Sequence, residues 1–229
     1  MVLLGIETST ENCSAAVMVR DEIISIAEVC SQRHAELILP MIDEVLGKMG
    51  VERGDLEGIA YGMGPGAFTG VRVAASTAQA LAQGLKLKCA GVSSLEALAL
   101  QALYDRDEEY AVSAIDARMG ELYVCVYRYG RGLEPLFEPK VLKVEEAREL
   151  IRQSLGVNSA VGGGSGMDLL YAAGLNKNIQ KRSQFPDAEY IVKLGELLFK
   201  AGKEVDPSSA LPTYVRDEVA KKPAPRKGK

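Results

Sequence analysis

The sequence predicts an α/β chain of two similar lobes, and three observations carry that prediction: the length of 229 residues, an order of elements that runs twice, and a glycine-rich loop late in each run. The length suits two lobes of about 100 residues each. The repeated order is strand, acidic turn, strand, strand, helix, strand, glycine loop, helix, and self-similarity on that scale points to two copies of one supersecondary plan. The expected division is 1–105 and 106–216, with the last helix packing back on the first lobe and a basic tail over 217–229.

In the first copy, residues 2–6 are apolar and 7–12 are a polar turn rich in Ser and Thr. Residues 13–19 and 23–29 read as strands, with Arg20, Asp21 and Glu22 as the turn between them, so the start of the chain is an antiparallel meander. A helix follows over 32–49. Its apolar residues, from Ala35 through Leu39 and Ile42 to Met49, cover most of its circumference and leave a narrow strip of Glu36, Asp43, Glu44 and Lys48. One sheet is not expected to bury all of that. Pro40 lies inside and predicts a late start or a kink. A short strand over 58–61 leads into the glycine loop 62–70 and a helix over 71–84, whose Ala74, Ala75, Ala78, Ala80 and Ala82 permit close helix approach. A strand over 87–92 and a helix over 94–104 complete this copy.

The second copy opens with an apolar strand over 110–115, a polar turn over 116–121 and an alternating strand over 122–129. A third strand over 140–144 precedes a helix over 145–155, and Ala160 and Val161 enter the glycine run 162–166. The last elements are a helix over 188–200, a linker over 203–210 and the segment 211–216.

Composition agrees with a self-sufficient core: 47% of residues are hydrophobic and 25% charged, and a chain of this size buries roughly 70% of its unfolded surface. Cys13, Cys30, Cys89 and Cys125 are scattered, with no C-x-x-C pair and a single histidine, which argues against a zinc site and for a reducing compartment. The N-terminus shows no secretory leader and no run is long enough to span a membrane, so a cytoplasmic protein is expected. The last nine residues hold Lys221, Lys222, Arg226, Lys227 and Lys229 and no acid, so the net charge of -4 divides into +5 there and -9 over the rest. An acidic body grips RNA poorly by itself. The tail reads as a solvated end, with auxiliary contact to RNA as the alternative.

Three stretches hold residues suited to chemistry. Thr8, Ser9 and Thr10 offer hydroxyls and backbone N–H groups in a tight turn, which wraps a phosphate or is simply a polar hairpin. The loop 62–70, with Gly64, Gly66, Thr69 and Gly70, places unpaired N–H groups near a helix start. It matches neither a P-loop nor G-x-G-x-x-G, and loop glycines that let two backbones approach are an equal reading. Asp116 stands in the second copy where Glu7 stands in the first, and paired carboxylates there hold magnesium or a catalytic water, or Asp116 caps its own turn. His34 begins an amphipathic helix, where a capping or interface role outweighs catalysis.

The strings LLGIETSTENCSAAV, HAELILPMIDEVL, GPGAFTGVRVAASTAQALA, VSSLEALA and AIDARMGELYVCVY occur in this order over residues 3–127. The chain thereby resembles the TsaB (YeaZ) family. The resemblance implies an α/β actin-like ATPase (ASKHA, Hsp70-like) fold of two ribonuclease-H-like lobes with mixed sheets and flanking helices. It implies a non-catalytic scaffold in threonylcarbamoyladenosine (t6A) modification of tRNA at the adenosine 3′ to the anticodon, acting by binding and activating the TsaD transferase and helping recruit TsaE, with TsaC supplying the threonylcarbamoyl-adenylate. The related TsaD carries an H-x-x-x-H metal pair where this chain has Ser94 and Leu98. It further implies contact with TsaD, or with a second copy when alone, through His34, Leu37, Ile38, Met41, Ile42 and Val45 of one helix and Val71, Ala74, Ala75 and Ala78 of the next. No metal is expected, ATP or ADP is at most a ligand at the complex interface, and tRNA is met through the complex. The alternatives are an actin-like small-molecule kinase or ATPase and, behind it, a metallopeptidase.

Overall fold

The computed structural model describes residues 1–30 and 32–215, and its opening meander is β1 (Val2–Glu7), β2 (Asn12–Val19) and β3 (Glu22–Val29). β1 and β2 pair antiparallel without a break from Val2 opposite Val19 to Glu7 opposite Ser14, and β3 pairs with β2 in the same way. The chain continues as α1 (His34–Met49), β4 (Gly58–Gly64), α2 (Phe68–Leu85), β5 (Cys89–Ser93) and α3 (Ser94–Leu103). β4 runs parallel to β1 and β5 parallel to β4, giving the order β3-β2-β1-β4-β5. Parallel neighbours need crossovers, which α1 and α2 supply.

The second lobe contains β6 (Tyr110–Arg118), β7 (Glu121–Tyr129), β8 (Leu133–Pro135), β9 (Lys140–Lys143), α4 (Val144–Leu155), β10 (Val161–Gly163), α5 (Met167–Ala172), β11 (Gln180–Ser183) and α6 (Ala188–Lys200). Its sheet order is β11-β10-β6-β7-β8, with β9 also paired to β7. Placed on the first lobe's numbering, this is the same order, so the duplicated plan of two ribonuclease-H-like lobes is present. The lobes also exchange helices. α3 packs on β6, β7 and β10, whereas α6 crosses back to lie on β1, β2 and β4.

Two strands have no counterpart in the sequence prediction. β8 has only three residues, too few to show alternation, and β11 reads QKRS, polar throughout. Their pairing is imposed by the frame around them. The segment 203–210 is more than a linker, because Val205 exchanges both backbone hydrogen bonds with Cys89. The tail over 217–229 lies outside the described residues, as does Arg216.

The first lobe's core corrects the reading of the two apolar helices. Leu4, Ile6, Val17, Ile59 and Tyr61 of the sheet pack against Ile38, Met41, Ile42, Val45 and Leu46 of α1 and against the alanines of α2. Ile38, Met41, Ile42 and Val45, and Val71, Ala74, Ala75 and Ala78, which the family resemblance implied as partner-binding residues, are all buried within the lobe itself. The reason is angular. Positions 38, 41, 42 and 45 follow the i, i+3, i+4, i+7 spacing of one helix face, and a single sheet covers that face. His34 and Leu37 are half-buried, while Ala35, Leu39, Phe68 and Ala80 point outward. All four cysteines are free and buried, and no helix among the described residues is long and apolar enough to cross a membrane.

Candidate functional site

The turns after β1 and β6 face one another across the cleft between the lobes. A cavity of about 340 Å³ lies there, walled by Ser9, Thr10 and Glu11, the loop from Pro65 to Phe68, the hairpin from Ile115 to Arg118, and a C-terminal strap from Thr213 to Val215. A wider groove of about 720 Å³ runs on past Phe68 and Arg118 to Cys30, His34 and Ala35.

The glycines of the 62–70 loop serve close packing. A Cβ on Gly66 would lie 2.2 Å from the Ser9 carbonyl oxygen, and one on Gly70 would lie 2.1 Å from that of Thr8. No side chain larger than hydrogen fits either place. With the glycines there, Ala67 N–H donates to Ser9 O at 2.7 Å and Thr8 Oγ1 donates to Gly70 O at 2.7 Å. The β1–β2 turn is thus pressed onto the start of α2, and the Ala67 N–H that an anion would have taken is engaged.

Glu7 is fully buried beneath this turn. Ser9 Oγ donates to Ser94 Oγ at 2.9 Å, Ser94 Oγ donates to Glu7 Oε2 at 2.9 Å, and Ser9 N–H donates to Glu7 Oε1. Burial pushes the Glu7 carboxyl above the usual carboxylate range, against the pull of the Ser9 and Ser94 hydrogen bonds. The chain Ser9, Ser94, Glu7 ties the first turn to the start of α3, and Leu98, one turn further along α3, is fully buried and apolar. His34 Nε2 donates to Thr10 O at 2.7 Å, fastening α1 to the same turn.

Across the cleft, Asp116 accepts from Arg118 N–H at 2.8 Å and from its guanidinium at 3.2 Å, while that guanidinium also meets Glu11 Oε1 at 2.6 Å. Arg118 therefore bridges the two lobes. The expected pairing of Asp116 with Glu7 is absent: Asp116 lines the cavity and Glu7 is sealed behind the turn. The segment 210–215 is anchored on the first lobe by Tyr61 OH to Leu211 O at 3.1 Å, Gln79 Nε2 to Ala210 O at 2.9 Å and Thr213 N–H to Met63 O at 2.7 Å. At its end, the Arg72 guanidinium sits 3.3 Å over the Phe68 ring and 5.0 Å from the Tyr214 ring.

Of the nucleotide-site candidates, Ser9, Thr10, Gly66 and Asp116 reach the cavity. Thr8 and Gly64 are packed behind it, and Thr69 and Gly70 line the outer groove. Sequence reasoning missed Glu11, Arg72, Phe68, Arg118 and Tyr214. An Arg at the tip of the second acidic turn and a Glu in the first were the available signal for the bridge.

A family model described as "TsaD: tRNA N6-adenosine threonylcarbamoyltransferase" matches residues 22–223. The chain is 34% identical over 236 residues to the tRNA threonylcarbamoyladenosine biosynthesis protein TsaB of Escherichia coli (strain K12), spanning 99% of this chain and 100% of that one. It is 34% identical over 231 residues to the protein of the same description from Haemophilus influenzae, with 98% of each chain covered. The solved structure of YeaZ from Pseudomonas aeruginosa superposes with a TM-score of 0.81 at 32% identity, covering 93% of this chain and 99% of that one.

Proposed function

Because the chain belongs to the TsaB (YeaZ) family, we propose that it is a non-catalytic docking subunit in threonylcarbamoyladenosine modification of tRNA, which binds and activates the TsaD transferase and helps recruit TsaE. The observation that carries the non-catalytic part is the chain from Ser9 through Ser94 to Glu7. By the family resemblance, Ser94 and Leu98 stand where the transferase carries two metal-binding histidines. Here the hydroxyl is committed between two protein groups and the second position is hydrocarbon, which makes a poor ligand set for any transition metal.

Docking uses the outward faces of α1 and α2, where Leu39 is 52% and Phe68 61% exposed and Ala35 and Ala80 are small enough for close helix approach. This replaces the buried set read from the sequence and keeps His34 and Leu37 at its edge. Two copies of the chain meet through that same face when TsaD is absent, so homodimer and heterodimer exclude one another. The subunit works in the cytoplasm, meets tRNA through the assembly, and depends on TsaC only for the activated threonylcarbamoyl donor.

Light scattering and calorimetry on the chain mixed with TsaD of the same organism test this. A heterodimer that replaces the homodimer and raises transferase turnover is expected, and absence of binding overturns the reading. Steady ATP turnover by the isolated chain, abolished by Asp116→Asn, would favour an actin-like kinase or ATPase instead.

A further inference from the structure

Phe68 opens α2 with its ring 61% exposed, and it lines both the cleft cavity and the outer groove. A ring so placed would ordinarily be free to change rotamer. This one is held. Arg72, one helical turn on, donates from its guanidinium to the Phe68 carbonyl at 2.8 Å and lies 3.3 Å over the ring. The same guanidinium is 5.0 Å from the ring of Tyr214, so two cation–π contacts fix it between residues far apart in the chain.

Tyr214 is carried there by the segment 210–215. Thr213 N–H to Met63 O fixes the residue just before it, and Tyr61 OH to Leu211 O holds the approach. The Tyr214 ring is still 49% exposed, so the contact hides little apolar surface. What it does is steady Arg72. Among the described residues Arg72 meets no carboxylate, so its charge and further N–H groups stand free at the edge of the Phe68 ring.

We propose that Arg72 and Tyr214 are positioning residues that hold the Phe68 ring as an anchor for TsaD, in a partner pocket that is apolar within and acidic at its rim. The inference rests on the docking reading above and is continuous with it, because the groove beside Phe68 runs on to His34 and Ala35 at the start of α1. Aromatic side chains and arginine supply most of the binding energy of protein contacts, and a ring ordered before association avoids the cost of ordering it afterwards.

Calorimetry with TsaD of the same organism tests this on Phe68→Ala, Tyr214→Ala, Tyr214→Phe, Arg72→Leu and the double variant Phe68→Ala with Tyr214→Ala. Phe68→Ala should weaken binding by about 30-fold or more. Tyr214→Ala should cost about two- to tenfold, the price of one side chain left to be immobilised on binding, whereas Tyr214→Phe keeps the ring and should bind as wild type. Arg72→Leu should cost at least as much as Tyr214→Ala and flatten the fall of affinity with salt. In the Phe68→Ala background Tyr214→Ala should add nothing, because it acts through the ring it holds. Melting temperatures should stay near wild type, since both rings face water. NMR of the isolated chain, labelled in its phenylalanine rings, should show Phe68 ordered in wild type and freer in Tyr214→Ala. Wild-type affinity in Phe68→Ala or in Tyr214→Ala overturns the proposal. So does full additivity in the double variant, which would give Tyr214 a partner contact of its own, and so does loss of the homodimer in Phe68→Ala with TsaD binding intact, which would assign the ring to a second copy. A wild type that binds no TsaD fails the docking reading itself, and the ring measurement tells the two failures apart: a Phe68 ring freed by Tyr214→Ala upholds the positioning, and equal mobility in the two chains removes it.

Discussion

Leu39 and Ile38 are adjacent in sequence and opposite in consequence, and introducing a carboxylate at each separates docking from folding. Ile38 is 1% exposed and Leu39 52% exposed. Full burial of a leucine side chain is worth about 1.5 to 3 kcal/mol, so covering the exposed half of Leu39 in a complex yields roughly 1 to 1.5 kcal/mol. Leu39→Glu loses that and places a carboxylate in the contact, which costs several kcal/mol more unless it finds a cation. A total on the order of 3 to 5 kcal/mol weakens binding to TsaD by about 10² to 10³-fold or more. The same change leaves the isolated fold within about 0.5 kcal/mol of wild type, because both residues are good helix formers and the site faces water.

Ile38→Glu does the reverse. Its carboxylate enters the cluster of Leu4, Ile6, Val17 and Ile59, at a cost of about 4 kcal/mol or more. At roughly 2 to 4 °C per kcal/mol for a chain of this size, the melting temperature should fall by about 10 °C or more. Thermal melts of both variants, with calorimetry against TsaD for Leu39→Glu, give the answer. Wild-type affinity in Leu39→Glu refutes the docking face, and a wild-type melting temperature in Ile38→Glu refutes the assignment of that position to the core.

Gly70→Ala should lower the melting temperature by several degrees although alanine favours a helix interior by about 1 kcal/mol, because the new Cβ meets the Thr8 carbonyl; a rise would disprove the close approach. Burial pushes the thiols of Cys13 and Cys125 up to about 12 and that of Cys89 to about 11, so alkylation of the native protein at pH 8 should leave all three unmodified until denaturant is added, as read by mass. Glu7 titrates higher in the folded chain than its ordinary 4.5, so the folded state holds the extra proton and this group's contribution to stability falls as pH rises from that ordinary value through the folded one. Glu7→Gln should remove that fall, making the difference in melting temperature between variant and wild type depend on pH over the same window; a constant difference contradicts the burial argument.

The fold was legible because its signals are periodic and repeated. The strand-like runs of β2 and β3, the alternation of β7, the apolar runs of β1 and β6, and the matching order of elements led directly to two lobes of one plan, and α6 was read to the residue. Strand and helix ends moved where geometry acts: the glycine loop is shorter than it reads, since β4 extends to Gly64 and α2 begins at Phe68. Which apolar residues of α1 are buried was not legible, because a list of apolar residues carries no angle. Leu39 and Ala35 differ from Ile38 and Ile42 only in which side of α1 they occupy, and that side is fixed by a sheet distant in sequence. Arg72 escaped notice because its partners are Phe68, four residues away, and Tyr214, far along the chain.

What the cleft holds decides how the molecule works. Several groups in its turns that sequence reasoning offered for chemistry are engaged by another group of the same chain: Thr8 by Gly70, Ser9 by Ser94 and Ser94 by Glu7, His34 by Thr10, Asp116 by Arg118. The same bonds make the turn, the start of α2 and the starts of α1 and α3 one tightly held unit, since unpairing any buried member leaves an unsatisfied group costing about 1 to 3 kcal/mol. A lobe fixed in that way holds the outer faces of α1 and α2 in a constant relation to the cleft mouth. That constancy suits the docking role proposed above.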